Sequence, residues 1–589
     1  MSSGEVKYGP WNPGILSPMP EGVKPFMTIA RAENVFQSVS ELEEICGFTG
    51  FPWECIATFR PQRLAVHELL IRISANLSVS DGIRYEDLGV NFRSMARLLF
   101  ERYVSPNLQQ INNLYDELRR EIEAAVEEEL EASLFAQDQE SVEPKGWLNK
   151  LFRRQHQTPP TFPGEVRELQ IITAWKEEAS RQKDNPLRRA ILQSLYRITN
   201  AIMIRHGRIR GEKDLLVKLV VGEVCNAYGS RQIGNLIEPM IETGAAAAGY
   251  STLPIQEHPV IMNVKGASAS GKSTLRPLQH QLANRLGFRW EEFALISPDI
   301  WRKYLLDYDS MGELYKYAAV CTGHELKIVD KKLDAYMARK AKRVGVSHLL
   351  IDRFRFDSFA ERSTKKGSNL LTRFGSKVFM FFMITPPHDT VERAWERGEQ
   401  VGRYKAVDDL LDHNVEAFTG ISQIFFTWAL DQDKDIHYEF LDNSVDFGER
   451  PRTVAYGENG SLCILCVKCM IDIDRYKKIN INADSVSSVY PSTREMAPEM
   501  NLAFLKACIE RLENVEFVNP KNRKVAARIR RGELVELSMM ELEEAVPDAD
   551  TREVLLKLIS PAKESRDVAI SMPDIVDISR SETLGDCYG

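Results

Sequence analysis

Residues 258–286, HPVIMNVKGASASGKSTLRPLQHQLANRL, decide the fold. A β-branched apolar run at 260–264 leads into a glycine-rich turn, and the turn opens an amphipathic helical stretch that ends near residue 286. The turn reads Gly-x4-Gly-Lys-Ser, the pattern in which backbone N–H groups and a helix N-terminus converge on phosphate oxygens. Lys272 supplies a mobile charge and Ser273 a hydroxyl for a hard cation. The stretch predicts ATP with Mg2+ held by Gly266, Ala267, Ser268, Ala269, Ser270, Gly271, Lys272, Ser273 and Thr274.

Further along, FALIS (293–297), HLLID (348–352) and KVFMFFMI (377–384) alternate with helical stretches, the rhythm of a parallel α/β sheet. YEFLDNS (438–444) and LCILCVKCMID (462–472) read as the pair that completes it. Asp352 ends its strand at the carboxyl edge of such a sheet, where a carboxylate joins Ser273 as a metal ligand; a cap after the strand is the alternative. In ISPDIWRKY (296–304), Asp299 is placed to accept the proton of an acceptor hydroxyl. Arg393, Arg397 and Arg403 in ERAWERGEQVGR (392–403) are candidates to clamp a moving phosphoryl group. Arg393 and Arg397 are four apart and share a helix face, which Glu392 and Glu396 could equally neutralise as a solvated surface. Arg302 and Arg355 are candidates for an acceptor's phosphate or carboxylate. Glu325, after His324 near a helix start, reads either as a substrate contact or as buried polar structure.

These motifs come in an order that resembles the zeta-toxin family. Over residues 259–454 the chain shares the glycine-rich loop, the Asp-x-x-Arg turn, His324-Glu325, a strand ending in Asp352, the arginine-rich helix and a closing Asp-Asn-Ser at 442–444. The resemblance implies a P-loop kinase fold and transfer of the γ-phosphate of ATP to a hydroxyl of a small molecule, in the family's best-known members a UDP-amino sugar. Two departures bear on the acceptor: Ser297-Pro298-Asp299 keeps one acid where the family often has an Asn-Asp or Asp-Asp pair, and Arg353-Phe354-Arg355 replaces its usual Gly-Thr turn.

The flanks are expected to be helical. Residues 1–135 and 165–255 carry helical patterning, 136–164 is polar and proline-punctuated like a linker, 256–480 forms the α/β kinase unit, and 481–589 reads as a helical extension with a loose tail. On this reading the first 250 residues form a separable unit, joined near 244–259, with a surface for a protein partner. A nucleotide-dependent switch acting through these flanks is the competing function.

Bulk properties narrow the classes. A hydrophobic share of 43% with 27% charged residues fits a globular chain, and a net charge of -8 argues against nucleic acid as the partner. Residues 1–24 lack the apolar core of a secretory signal and no stretch has the length of a membrane span, so a cytoplasmic location is expected. Nine scattered cysteines fit reduced thiols. Cys463, Cys466 and Cys469 have the spacing that opens an iron–sulfur motif, but without a nearby fourth ligand they read as small apolar residues of a buried strand.

Overall fold

The computed structural model describes residues 8–84, 86–135, 163–209, 213–353, 371–446, 448–560, 575–576 and 582–587. Its centre is one mixed sheet of eleven strands. β1 (Val260–Lys265), β2 (Phe293–Ile296), β3 (His348–Asp352), β4 (Lys377–Ile384) and β5 (Asp435–Asp442) are parallel, in the spatial order β2-β3-β1-β4-β5. β1 leads out to β2 on one side while β3 leads to β4 on the other. Such a reversal opens a crevice at the carboxyl ends of neighbouring strands.

Beyond β5 the direction alternates. β6 (Arg452–Glu458) runs antiparallel to β5, β7 (Ser461–Ile464) antiparallel to β6, and β8 (Asn514–Val518) parallel to β7. β9 (Val525–Arg530) and β10 (Glu533–Leu537) close the sheet as an antiparallel meander, and the short β11 (Asp586–Cys587) pairs β6. Residues 481–589 are therefore not a helical extension. Helices Ala503–Arg511, Met539–Ala545 and Ala549–Ile559 are present, but three strands among them extend the same sheet.

The run at 462–472 also differs from its reading as one strand. Leu465 and Cys466 N–H both return to the Val454 carbonyl, which ends the ladder, and a helix (Val467–Arg475) begins. Val467, Met470, Ile471 and Ile473 then bury one helical face.

The two faces of the sheet carry two cores, and β4 shows why. Phe379, Phe381 and Met383 point to one core, whereas Val378, Met380, Phe382 and Ile384 point to the other, the period of two that a strand imposes. The second core is closed by helix Val407–Ala429 and the C-terminal elements. The first runs without interruption from Leu64, Leu69 and Phe92 in the N-terminal helices to Ile261, Phe293 and Leu349 in the sheet. The expected N-terminal helices are in place, among them Pro61–Asn76, Asp87–Leu99 and Leu108–Ala132, yet they share this core with the sheet.

A strap at the N-terminus crosses to the far side of the crevice. Trp11 packs on a cluster built from Val391, Ala394, Leu410 and Leu411, which Ala269 also touches, and Ile15 packs with Tyr404 and Ala406. Lys316 Nζ ties the strap down by donating to the Pro13 carbonyl at 2.9 Å. Among the described residues no helix is long and apolar enough to cross a membrane.

Candidate functional site

The loop 266–273 leaves β1 and turns back through two left-handed residues, Ala269 (φ 61°) and Gly271 (φ 89°). A Cβ on Gly271 would lie 2.3 Å from Asn443 Nδ2, and one on Gly266 would lie 2.7 Å from Met383 Cβ, so side chains are excluded at both ends of the motif. The loop is held from behind: Asn443 Nδ2 and Thr385 Oγ1 both donate to the Ser270 carbonyl, at 2.9 and 3.0 Å. Asn443 belongs to the Asp-Asn-Ser motif that closes β5. Thr385 follows β4 and carries no sequence signal of its own.

Register explains the position of Asp352. β1 pairs β3 with Val264 beside Asp352, which brings the carboxylate next to the first turn after the loop. Ser273 Oγ donates to Asp352 Oδ2 at 2.9 Å, so the two candidate metal ligands are in contact. Lys272 Nζ donates to the carbonyls of Gly266 (3.0 Å) and Ala267 (2.6 Å). Burial pushes the Lys272 ammonium down to about 8, opposed by Asp352 and Asp299 and reinforced by Arg397 and Arg403. Lys272 thus lies within electrostatic reach of four other candidate residues, Asp352, Asp299, Arg397 and Arg403.

Asp299 stands in a short turn (Pro298–Trp301) after β2. Arg302 Nε lies 2.8 Å from its Oδ1 and Arg403 Nη2 lies 2.8 Å from its Oδ2. Desolvation works against its charge, but Arg403 and Arg302 outweigh it and hold the carboxyl far below the usual range. Asp299 is therefore a fixed anion able to orient a hydroxyl. Arg302 also donates to the Ala319 carbonyl at 2.6 Å and to Thr322 Oγ1 at 2.8 Å, which locks the turn.

The arginine-rich segment divides. Gly402 caps helix Pro387–Val401 in the left-handed region and sends Arg403 toward Asp299. Arg397 lies in the field of Lys272 and Asp299. Arg393 instead donates to the carbonyls of Asn443 (2.7 Å) and Val445 (3.2 Å), fixing the strand end that supports the loop. Arg355 lies outside the described residues. Its neighbour Arg353 is buried against Asp330 (2.8 Å) and Asp334 (2.6 Å).

Glu325 is not at the crevice surface. Its fully buried carboxylate is held by Arg63 and His67 from the N-terminal helices, and His324 lies 2.7 Å from Glu54. Of the two readings of Glu325, the geometry is that of buried polar structure.

A lysine and a neutral histidine escaped the sequence reading. Burial pushes Lys405 down to about 8 against the pull of Asp409, 3.3 Å away, and pushes His413 down to about 3 with help from Lys405. Lys405, Asp409 and His413 recur every four residues, a signal visible in sequence once the helix there is granted. Tyr308, in the field of Arg302, Arg403 and Asp299, forms a wall of a pocket of about 350 Å³ that Lys303, Tyr315 and Gly402 also line.

The cysteine trio does not converge. Cys466 and Cys469 Sγ lie 3.2 Å apart, but Cys463 packs in a different cluster from Cys469. Among the described residues the one group with metal-ligand spacing is His437, Glu458 and Glu582, none of which is a residue of the crevice.

No family model, curated protein or solved structure matches this chain.

Proposed function

We propose that the chain is an ATP-dependent phosphotransferase of the zeta-toxin type, moving a γ-phosphate to a hydroxyl of a small molecule. The carrying observation is that two half-sites lie within electrostatic reach of each other: Lys272 with the Ser273–Asp352 pair, and Asp299 between Arg302 and Arg403. Phosphoryl transfer asks for little covalent chemistry from a protein, only alignment and charge neutralisation.

Each residue then has a task. Loop amides and Lys272 take the phosphates. The oxygen donors Ser273 and Asp352 suit Mg2+, which when bound neutralises phosphate charge. Asp299 orients the acceptor hydroxyl, and takes its proton as the new bond forms once Arg403 has turned from it to the phosphate oxygens, where Arg397 and Arg403 balance charge on the transferred group. Arg403 couples the halves, because the guanidinium that holds Asp299 is also one that phosphate oxygens would draw away. The acceptor would enter beside Tyr308, where about 350 Å³ stands near the lower end of small-molecule sites and suits a sugar ring better than a whole nucleotide sugar.

The test is transfer of radiolabel from γ-labelled ATP to a panel of hydroxyl acceptors, sugars and nucleotide sugars included. Binding of ATP with no transfer to any acceptor would favour the switch reading, to which the strap across Ala269, Tyr404 and their neighbours lends support.

A further inference from the structure

The turn that carries Asp299 rests on the N-terminal helices. Arg63, in helix Pro61–Asn76, donates through Nη2 to the Leu305 carbonyl at 2.8 Å, the last residue of the helical turn Arg302–Leu305. The same guanidinium grips Glu325 with two bonds, Nε to Oε1 at 2.5 Å and Nη2 to Oε2 at 2.7 Å. Arg93, in helix Asp87–Leu99, donates to the Ile300 carbonyl at 3.4 Å, and Tyr304 Oη donates to the Ala96 carbonyl at 3.4 Å. Trp301, between Ile300 and Arg302, is fully buried.

Glu325 is itself anchored. His67 Nε2 lies 2.7 Å from its Oε1, and Lys332 Nζ lies 3.2 Å from His67 Nδ1 and 2.9 Å from Ser230 Oγ. Since Lys332 has only protons to offer Nδ1, the Nε2 of a neutral His67 carries the proton and donates it to Glu325. Ser230 Oγ donates to Glu68 Oε1 at 2.6 Å, and Glu68 holds Arg72 at 2.6 Å. A chain of satisfied buried polar groups therefore ties helices Pro61–Asn76 and Gly323–Arg343 together, and Arg63 is its outlet to the Asp299 turn. A salt bridge whose only purpose was docking would not need the third bond, to Leu305.

We propose that the N-terminal helical region is a built-in positioning element of the transfer site, with Arg63 as the positioning residue that sets Asp299 and Arg302 through the Leu305 carbonyl. This rests on the kinase reading above. A guanidinium can serve a bidentate carboxylate and a carbonyl in one plane, whereas an ammonium cannot, so Arg63→Lys keeps the charge over Glu325 and loses the geometry. Displacement of an aligning group by about 1 Å costs roughly 10²-fold in rate.

The experiment uses the full chain with Arg63→Lys and, as a milder second variant, Arg93→Lys. Three quantities are read: ATP affinity, the rate of phosphate transfer at saturating ATP, and hydrogen exchange of the amides of Ile300, Arg302 and Leu306, which the turn protects through Ser297, Asp299 and Arg302 carbonyls. The expected result for Arg63→Lys is a fall in transfer of about 10²-fold, ATP affinity within about twofold, and faster exchange confined to those amides; Arg93→Lys should give a smaller change of the same pattern. Unchanged exchange in both variants overturns the proposal, and so does faster exchange with full transfer, or a parallel loss of ATP affinity. If the unaltered chain binds ATP and transfers nothing, the kinase reading fails instead, and exchange alone decides whether the grip on the turn exists.

Discussion

Lys272 offers a quantitative test, because its charge is at risk in the accessible pH range. Burial brings the ammonium to about 8, so the protonated fraction is about 0.9 at pH 7 and about 0.1 at pH 9. Phosphate oxygens would favour the charged form and restore its ordinary value, so nucleotide binding takes up a proton wherever the free chain has lost it. The sign follows: affinity is full below about pH 7 and falls as pH rises through 8. The ratio of those fractions predicts a tenfold weaker ATP affinity at pH 9 than at pH 7 from this residue, about 1.4 kcal/mol. Calorimetric titration with Mg-ATP at both pH values measures it. Lys405 titrates in the same window, so the clean comparison is Lys405→Met, which should keep the tenfold ratio, against Lys405→Met with Lys272→Met, which should bind weakly and lose it. A flat profile with Lys272 intact, or a tenfold slope that survives its removal, refutes the reasoning.

Asp299→Asn should cut phosphate transfer by about 10²- to 10⁴-fold while leaving ATP affinity undiminished, since it removes the orienting carboxylate and none of the loop donors; transfer assay and titration on one preparation check both. Gly271→Ala forces a left-handed alanine and a 2.3 Å collision with Asn443 Nδ2, and the strain of about 1–2 kcal/mol per left-handed residue alone predicts about 5- to 30-fold weaker nucleotide binding. Adding Asn443→Ala should recover part of that loss by relieving the collision but not the dihedral, and a strictly additive double variant would contradict the contact. Deleting residues 1–250 should yield aggregated protein by light scattering, because Phe293, Leu349 and Ile261 share a core with the removed helices; a monomeric, cooperatively melting fragment would count against that continuity.

The centre of the fold was legible because its signals are local. The loop 266–273 announces itself in eight residues, and Asp352 ends, and Asp299 closely follows, a short apolar run of the length of a buried parallel strand. β8 to β10 were hidden for the opposite reason. Glu516, Arg528 and Glu536 face one another across those strands as ion pairs, so the segments read as polar and helix-compatible until their partners are known. Glu325 kept two readings in the sequence because its partner Arg63 lies 262 positions away, beyond the reach of any periodicity argument. Arg393 was read as an arginine of the clamp because helix spacing assigns a face and not a target; the carbonyls of Asn443 and Val445 come from a strand end fifty residues on.

The strap gives the molecule an order of assembly in time. Trp11 and Ile15 are made well before the surfaces they cover, at Val391, Tyr404 and Leu410. At about 5–20 residues per second, the roughly 390 residues between Ile15 and Tyr404 separate the two by about 20–80 s of synthesis. During that interval Trp11 and Ile15 wait without their partners, and the crevice lacks Arg403 until the segment that receives the strap has emerged. A nascent chain halted before residue 400 thus holds the 266–273 loop without Arg403, and a strap without Tyr404 to pack on.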